Sequence, residues 1–292
     1  MMNIQRVLVA TDFSPAGQRA VQAAADWARR EKAALRVVHV APSARRLAGL
    51  WRSSMRNVHA VHRQAADALR RVAEAIDPDR QLDLSTGLIT GSAARQIARA
   101  AVEYRANMLV VGARGEHGTT TGPPGLGGTS TKLVGMTPVA LLLSRHAPTL
   151  IPNVLAAVDL SSVSAAVLQW ASRFAAGGTL LVFQAYGIAA GALDVYSADE
   201  HEQHNLQLDS LIASTCPGRD VHRIIERGDA ASGLFAHFQR LSLTTLVLGQ
   251  HSSRPGRPAT TAYGSVSRYA AFFSPTDVLI VPAAAAASEP TS

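Results

Sequence analysis

The chain has 292 residues, 47% of them hydrophobic and 17% charged, enough material for a sizeable core and enough length for two domains. These proportions exclude a disordered or fibrous protein. The formal net charge of +7 is carried almost entirely by arginine, which favours anionic partners. The arginines between residues 45 and 71 alternate with apolar residues and lack aromatic platforms. We therefore expect a solvated face there, and no nucleic-acid surface.

Cysteine content and hydropathy bear on the compartment. Cys216 is the only cysteine, which excludes an internal disulfide and fits a reducing compartment. The chain enters an apolar run at Ile4 without the pattern of a signal peptide, and no apolar run approaches the length of a membrane span. We expect a cytoplasmic protein without membrane association, and a disordered tail over residues 285–292.

The first half of the chain predicts strands that alternate with helices. Short apolar runs predict strands over residues 4–10, 34–40, 82–89, 108–111 and 138–143. Helical periodicity or start signals predict helices from Pro15, over 58–76, over 93–104 and over 129–135, with Ser14 as the first N-cap. Such alternation predicts an α/β fold with a parallel sheet and right-handed crossovers.

The pattern restarts at Ile151, which indicates an internal duplication. The segment 154–161 matches 7–14, including Asp159 against Asp12. Three later glycine pairs have one constant offset, because 228 − 91, 249 − 112 and 264 − 127 each give 137. A fixed offset over several elements is the signature of a repeat. We expect domains over residues 1–148 and 149–284.

A glycine-rich segment, 109–133, follows the fourth strand of the first half. Gly112, Gly115, Gly127 and Gly128 let the backbone approach an anion, and Thr129 and Ser130 begin a helix whose free N–H groups favour phosphate. An ordinary flexible connection is the alternative. Asp12 ends the first strand at the same sheet edge, where it either bonds an adenine or ribose or is a helix-capping or turn aspartate.

Each half resembles a universal stress protein domain. The residues that carry the resemblance are 7–14, His39-Val40, Gly91, the Val-Gly-Ala-Arg-Gly run that ends at Gly115, and their partners in the second half. The resemblance covers nearly the whole chain and implies two tandem Rossmann-like domains of the adenine nucleotide alpha hydrolase-like type, each with five parallel strands. Many members of the family bind ATP, often as dimers, and show little or no hydrolysis.

The resemblance implies an adenine-nucleotide site, and the family motif is only partly matched. Gly125 has the family spacing but precedes leucine, whereas Gly127 agrees with the internal repeat, so we prefer Gly127. In the second half Ser252 replaces a motif glycine, so we expect binding mainly in the first domain. The predicted binding residues are Ala10, Thr11, Asp12, Val40, Gly112, Arg114, Gly115, Gly127, Gly128, Thr129 and Ser130, with Asp159, Gly249, Gly264 and Ser265 as second-half counterparts.

Other polar clusters do not predict a second chemistry. The segment Asp199–His204 contains metal-type residues, but its histidines lack a distant third ligand, so we expect an exposed acidic helix start and no metal site. A P-loop lysine is missing at every glycine run. We therefore expect a stress-response module that binds ATP, either alone or with Mg²⁺, and no catalytic residues. Slow ATP turnover stays open, as does a homodimer. The alternative is a scaffold that acts through dimerisation and protein partners without nucleotide.

Overall fold

A computed structural model describes residues 3–43, 55–114, 125–147, 151–186, 198–250 and 265–283. Contacts divide the chain into two compact units that meet in sequence at residues 148 and 149. The predicted tail, 285–292, lies outside the described residues.

The first unit is a parallel sheet flanked by helices, which confirms the predicted α/β class. Its strands occur in the order β3-β2-β1-β4-β5, and the registered pairs are parallel. The elements are β1 (Arg6–Ala10), α1 (Pro15–Glu31), β2 (Ala34–Ala41), α2 (Met55–Ile76), β3 (Leu84–Thr90), α3 (Ala93–Glu103), β4 (Met108–Gly112), α4 (Gly128–Val134) and β5 (Ala140–Ser144).

The start of α1 follows the sequence signals. Ser14 is the N-cap, and its Oγ accepts a hydrogen bond of 3.1 Å from the Gly17 N–H, while Pro15 takes the first helical position. The helix buries one apolar face, whose residues Ala20, Ala24, Trp27 and Ala28 are at most 8% exposed. This face fixes the beginning of α1 close to the ends of the central strands.

Strand β3 begins two residues later than predicted. The carboxylate of Asp77 accepts hydrogen bonds from the main-chain N–H groups of Gln81 (2.8 Å) and Leu82 (3.0 Å). Because those N–H groups serve a turn after α2, they are held out of the sheet, and pairing with β2 begins at Leu84. The apolar character of Leu82 predicted a strand there, whereas its hydrogen bond to the Asp77 carboxylate places it in a turn.

The second unit repeats the arrangement, with strand order β8-β7-β6-β9-β10 and parallel registered pairs. Its elements are β6 (Asn153–Val158), α5 (Ser164–Phe174), β7 (Thr179–Tyr186), α6 (Ala198–Thr215), β8 (His222–Arg227), α7 (Ala230–Arg240), β9 (Thr245–Gly249), α8 (Ser265–Phe273) and β10 (Asp277–Val281).

Backbone conformation repeats along with sequence. Gly91 follows β3 with φ +137°, and its counterpart Gly228 follows β8 with φ +140°. Only glycine adopts this region readily. Both glycines also donate to the final residue of the neighbouring strand, Gly91 N–H to Ala41 O and Gly228 N–H to Tyr186 O, each at 3.0 Å.

The start of α6 is only partly as predicted. Asp199 and Glu200 are exposed in the first turn. His201 instead bonds the Tyr186 hydroxyl through Nδ1 (2.7 Å), and Nδ1 of His204 lies 2.7 Å from the Gln184 amide nitrogen. The helix thus turns its histidines onto β7, a contact that local sequence does not encode.

The described residues contain neither a metal-binding cluster nor a membrane-spanning helix. No group of three or more His, Cys, Asp or Glu side chains there could hold a metal ion. No described helix is both long and apolar enough to cross a membrane. Cys216 is buried just after α6, and desolvation raises the pKa of its thiol.

We predict that Asp229→Ala destabilises the second domain by about 1 kcal/mol, because Asp229 is the N-cap of α7. Its Oδ2 accepts hydrogen bonds of 2.8 Å from the N–H and the hydroxyl of Ser232, and these bonds lower the pKa of the carboxyl group. A lowered folded-state pKa means that the stabilisation is complete above the unfolded pKa of about 3.9 and is lost as pH falls through the folded pKa.

Urea unfolding of the wild type, Asp229→Ala and the exposed control Asp220→Ala, at neutral pH and near pH 3, measures this effect. The Asp229→Ala difference should shrink at the lower pH, while Asp220→Ala stays within about 0.5 kcal/mol of wild type. A deficit of Asp229→Ala that does not change with pH would contradict the role of the charged cap.

Candidate functional site

A cavity of about 540 Å³ opens at the carboxyl ends of β1, β2 and β4 in the first domain. This is the edge where parallel α/β sheets bind ligands. The structure brings together there most of the predicted residues of that domain: Ala10, Thr11, Asp12, Val40, Gly112, Arg114, Gly127, Gly128, Thr129 and Ser130. The eleventh, Gly115, lies outside the described residues.

Six further residues line the cavity that were not predicted as site residues. They are Gly17, His39, Ala93, Ile97, Val111 and Leu126. His39 had one sequence signal, since it immediately precedes Val40. Gly17 and the α3 residues had none, because only the packing of α1 and α3 against the strand ends places them here.

The connection from β1 to α1 is a strained turn. Phe13 has φ +65°, a left-handed conformation that is unfavourable for a bulky side chain. Thr11 Oγ1 accepts from the Phe13 N–H (3.0 Å), and Asp12 Oδ1 accepts from the Ser14 N–H (3.1 Å) and hydroxyl (2.5 Å). Asp12 therefore has the turn role that was its alternative interpretation, and it also lines the cavity.

Two cavity glycines have packing reasons for being glycine. A Cβ on Gly17 would lie 2.7 Å from Asp12 Oδ1 and 2.8 Å from Thr11 Oγ1. A Cβ on Gly112 would lie 2.9 Å from the carbonyl oxygen of Ala16 in α1. All three distances are too short for ordinary contact. The sheet edge and α1 therefore approach each other only because Gly17 and Gly112 lack side chains.

The second part of the glycine-rich segment starts α4. Gly127 is its N-cap and donates its N–H to Ala113 O (2.8 Å), and Gly128 begins the helix. The buried hydroxyl of Ser130 donates to Gly112 O (2.8 Å). Its hydrogen is thus committed to β4, and Thr129, which is half-buried at the cavity, is the better placed hydroxyl donor for a ligand.

His39 is held firmly at the end of β2. Its Nδ1 lies 2.8 Å from the carbonyl oxygen of Thr11. Its ring stacks on Phe13, with centroids 4.4 Å apart and an interplanar angle of 26°. The strained residue after Asp12 therefore places an aromatic face against the imidazole.

The second domain retains the framework of the site with larger side chains. Ser267 donates to Gly249 O (2.7 Å), as Ser130 does to Gly112. Leu160, which follows Asp159, has φ +58° as Phe13 has +65°. Where Gly17 lies five residues after Asp12, Ser164 lies five after Asp159 and donates to its Oδ1 (3.1 Å).

Two side chains are larger at the second edge. Val163 replaces Ala16 and is 5% exposed, and a Cβ on Gly249 would lie 2.5 Å from its Cγ1. Ser164 replaces Gly17 and is 1% exposed. The second edge therefore carries buried side-chain atoms at positions where the first domain has an alanine and a glycine. Gly264 lies outside the described residues, and only the main chain of Ser265 is described.

Comparison with known proteins gives a consistent family result. The model of the universal stress protein family matches residues 3–145 and again 151–282. No curated protein matches the sequence.

Solved structures extend the likeness over the whole chain. A universal stress protein of Archaeoglobus fulgidus is 19% identical with a TM-score of 0.72, and the match covers 95% of this chain and 98% of that one. A candidate universal stress protein of Pseudomonas aeruginosa is 17% identical with a TM-score of 0.67, covering 97% and 95%. These two likenesses show the fold. A shorter universal stress protein, solved in complex with cAMP, is 23% identical and covers 49% of this chain, with a TM-score of 0.34.

We predict that Gly112→Ala destabilises the first domain by about 1–3 kcal/mol, the usual cost of overpacking, because its methyl group meets the Ala16 carbonyl. Gly128→Ala is the matched control, since no heavy atom lies within 4 Å of a Cβ there, and its effect should stay within about 0.5 kcal/mol. Urea unfolding followed by circular dichroism measures both. Equal stability of the two variants would show that the approach of α1 to β4 tolerates a side chain.

Proposed function

Since this chain belongs to the universal stress protein family, whose model matches both of its domains, we propose that its first domain binds an adenine nucleotide, ATP foremost. The observation that carries the proposal is the 540 Å³ cavity at the switch-point edge of the first sheet. Its volume lies in the range of about 300–1,000 Å³ that is usual for small-molecule sites.

The lining of the cavity combines two kinds of group, as a nucleotide requires. Val40, Ala93 and Ile97 supply apolar surface suited to a purine, and Asp12 offers a carboxylate to an amine or a ribose hydroxyl. Arg114 and the start of α4 supply donors. The first N–H groups of a helix have no acceptor within it, so those of Gly128 and Thr129 suit phosphate oxygens. We assign the adenosine to the former group of residues and the phosphates to the latter.

The second domain supports the alternative function within the same chain. The Ser164 hydroxyl donates a hydrogen bond to the Asp159 carboxylate, and the Val163 side chain lies where a Cβ on Gly249 would clash. We therefore propose that the second domain binds no nucleotide and serves as a scaffold, with Asp159, Gly249, Gly264 and Ser265 as remnants of the ancestral site.

We propose binding without efficient hydrolysis. Among the described residues that line the cavity, Asp12 is the one carboxylate, and it accepts hydrogen bonds from Ser14. Efficient phosphoryl transfer needs metal-holding groups and a placed base. Bound Mg²⁺ would therefore be held chiefly by the phosphates. We also propose that the protein is cytoplasmic and forms a homodimer. We place its two domains at residues 1–148 and 149–284.

Gly128→Asp should separate ligand binding from stability. The space at Gly128 is open, and an acid in the first turn stabilises a helix by about 0.3–1 kcal/mol. The same carboxylate would repel bound phosphates, since juxtaposed like charges cost several kcal/mol, so ATP affinity should fall at least about ten-fold. Isothermal titration calorimetry measures the affinity, and thermal melting measures the stability.

Ser265→Asp is the matched control, because residue 265 corresponds to Gly128 in the second domain by the constant offset of 137 residues. It introduces the same charge and should leave ATP affinity unchanged. Loss of affinity in Ser265→Asp alone would move the site to the second domain. Absence of measurable ATP binding to the wild type would overturn the proposed function.

A further inference from the structure

We infer that His39 is a specificity-determining residue of the first-domain cavity, whose Nε2 accepts a hydrogen bond from an N–H or O–H donor of the ligand. This inference rests on the proposed nucleotide function and adds to it the group that selects the ligand. It follows from the hydrogen-bond partner of one ring nitrogen and the exposure of the other.

The Thr11 carbonyl determines the tautomer of the ring. Nδ1 of His39 lies 2.8 Å from that oxygen, which can only accept a hydrogen bond. Nδ1 must therefore carry the proton. In the neutral imidazole Nε2 then has a lone pair and no hydrogen, so it is an acceptor.

Nε2 of His39 is available to a ligand. It has no hydrogen-bond partner among the described residues, and it is not one of the buried polar atoms that lack a partner. His39 lines the cavity together with Asp12 and Arg114, the two charged groups of that lining. Asp12 is occupied by Ser14 on one oxygen, and a guanidinium only donates, so His39 supplies a neutral acceptor that neither of them offers.

The ring is preorganised for this role. Phe13 stacks on one face, and Phe13 itself is held in its left-handed conformation by Thr11 Oγ1. The stacked ring and the hydrogen bond of Nδ1 together fix the direction of the imidazole before a ligand arrives.

The second domain lacks this acceptor although it repeats the turn. Ala10 pairs with Val38 and its counterpart Ala157 pairs with Phe183, so Gln184 holds the position of His39. Gln184 is 2% exposed and bonds His204 of α6. The duplicated position has thus become part of the core in one domain and part of the cavity wall in the other.

An acceptor at Nε2 selects a ligand that presents a hydrogen-bond donor, and this preference distinguishes close analogues of ATP. Adenine and hypoxanthine nucleotides provide the contrast, since the 6-amino group donates and the 6-oxo group accepts. The 2′-deoxy and 3′-deoxy forms of ATP test the ribose hydroxyls as the alternative source of the donor.

The experiment compares the affinities of ATP, ITP and the two deoxy analogues by calorimetry for the wild type and for His39→Phe. One analogue should bind the wild type about three- to ten-fold more weakly than ATP. His39→Phe keeps the stacked ring and removes the acceptor, so ATP and that analogue should bind this variant with equal affinity. His59→Phe, at an exposed histidine of α2, should behave as wild type.

Nitrogen-15 NMR of the wild-type imidazole checks the tautomer without any substitution, and we expect the neutral Nδ1–H form with a ligand-sensitive Nε2. Affinity ratios in the wild type that equal those of His39→Phe, with ATP still bound, would overturn the inference and leave the proposed function standing. An Nε2–H tautomer would overturn it equally. Failure of every nucleotide to bind would overturn both.

Discussion

The site depends on one close contact, the approach of the first turn of α1 to the carboxyl end of β4. Gly112 has no side chain, and the Ala16 carbonyl lies where a Cβ would clash. This contact fixes the distance between the β1–α1 turn, which carries Asp12 and Phe13, and the segment that leads to α4. The cavity is the space between those two features, so its width follows from a helix-packing constraint and not from any ligand.

This constraint gives a second meaning to the glycines of a phosphate-binding motif. Gly112 and Gly249 meet Ala16 and Val163 respectively, and both would clash if enlarged. A glycine at the end of this strand is therefore needed by the fold in both domains of this universal stress protein, whether or not a phosphate approaches. Gly128 is different, because its surroundings leave room for a side chain. Motif agreement at Gly112 alone is consequently weak support for binding.

The two domains show how a duplicated framework diverges in structure at one sheet edge. The turn, the serine bond to the last strand residue and the left-handed residue after the aspartate are common to both. The difference lies in small substitutions: serine for Gly17, valine for Ala16 and glutamine for His39. Each substitution changes the size or the hydrogen-bond partner of one side chain at the sheet edge, while the buried strands have the same arrangement in both domains. Binding can therefore be lost without loss of the domain.

Sequence alone predicted the repeat, the α/β class and the N-cap at Ser14, because these depend on periodicity and short-range signals. It also named most of the residues that the cavity collects, since strand ends of a parallel sheet share one edge. It did not predict Gly17, the tautomer of His39 or the inward histidines of α6. Those depend on contacts such as His39 with Thr11 and His204 with Gln184, between residues far apart in the chain. The late start of β3 has a local cause instead, because the Asp77 carboxylate accepts from the N–H groups of Gln81 and Leu82, four and five residues later.

The decisive measurement is the stoichiometry of ATP binding to the intact chain, by equilibrium dialysis at saturating nucleotide. We predict one nucleotide per chain, because a cavity opens in the first domain and the second domain carries the buried side chains of Val163 and Ser164 at the corresponding edge. Two nucleotides per chain would contradict the divergence of the domains, and none would contradict the site itself.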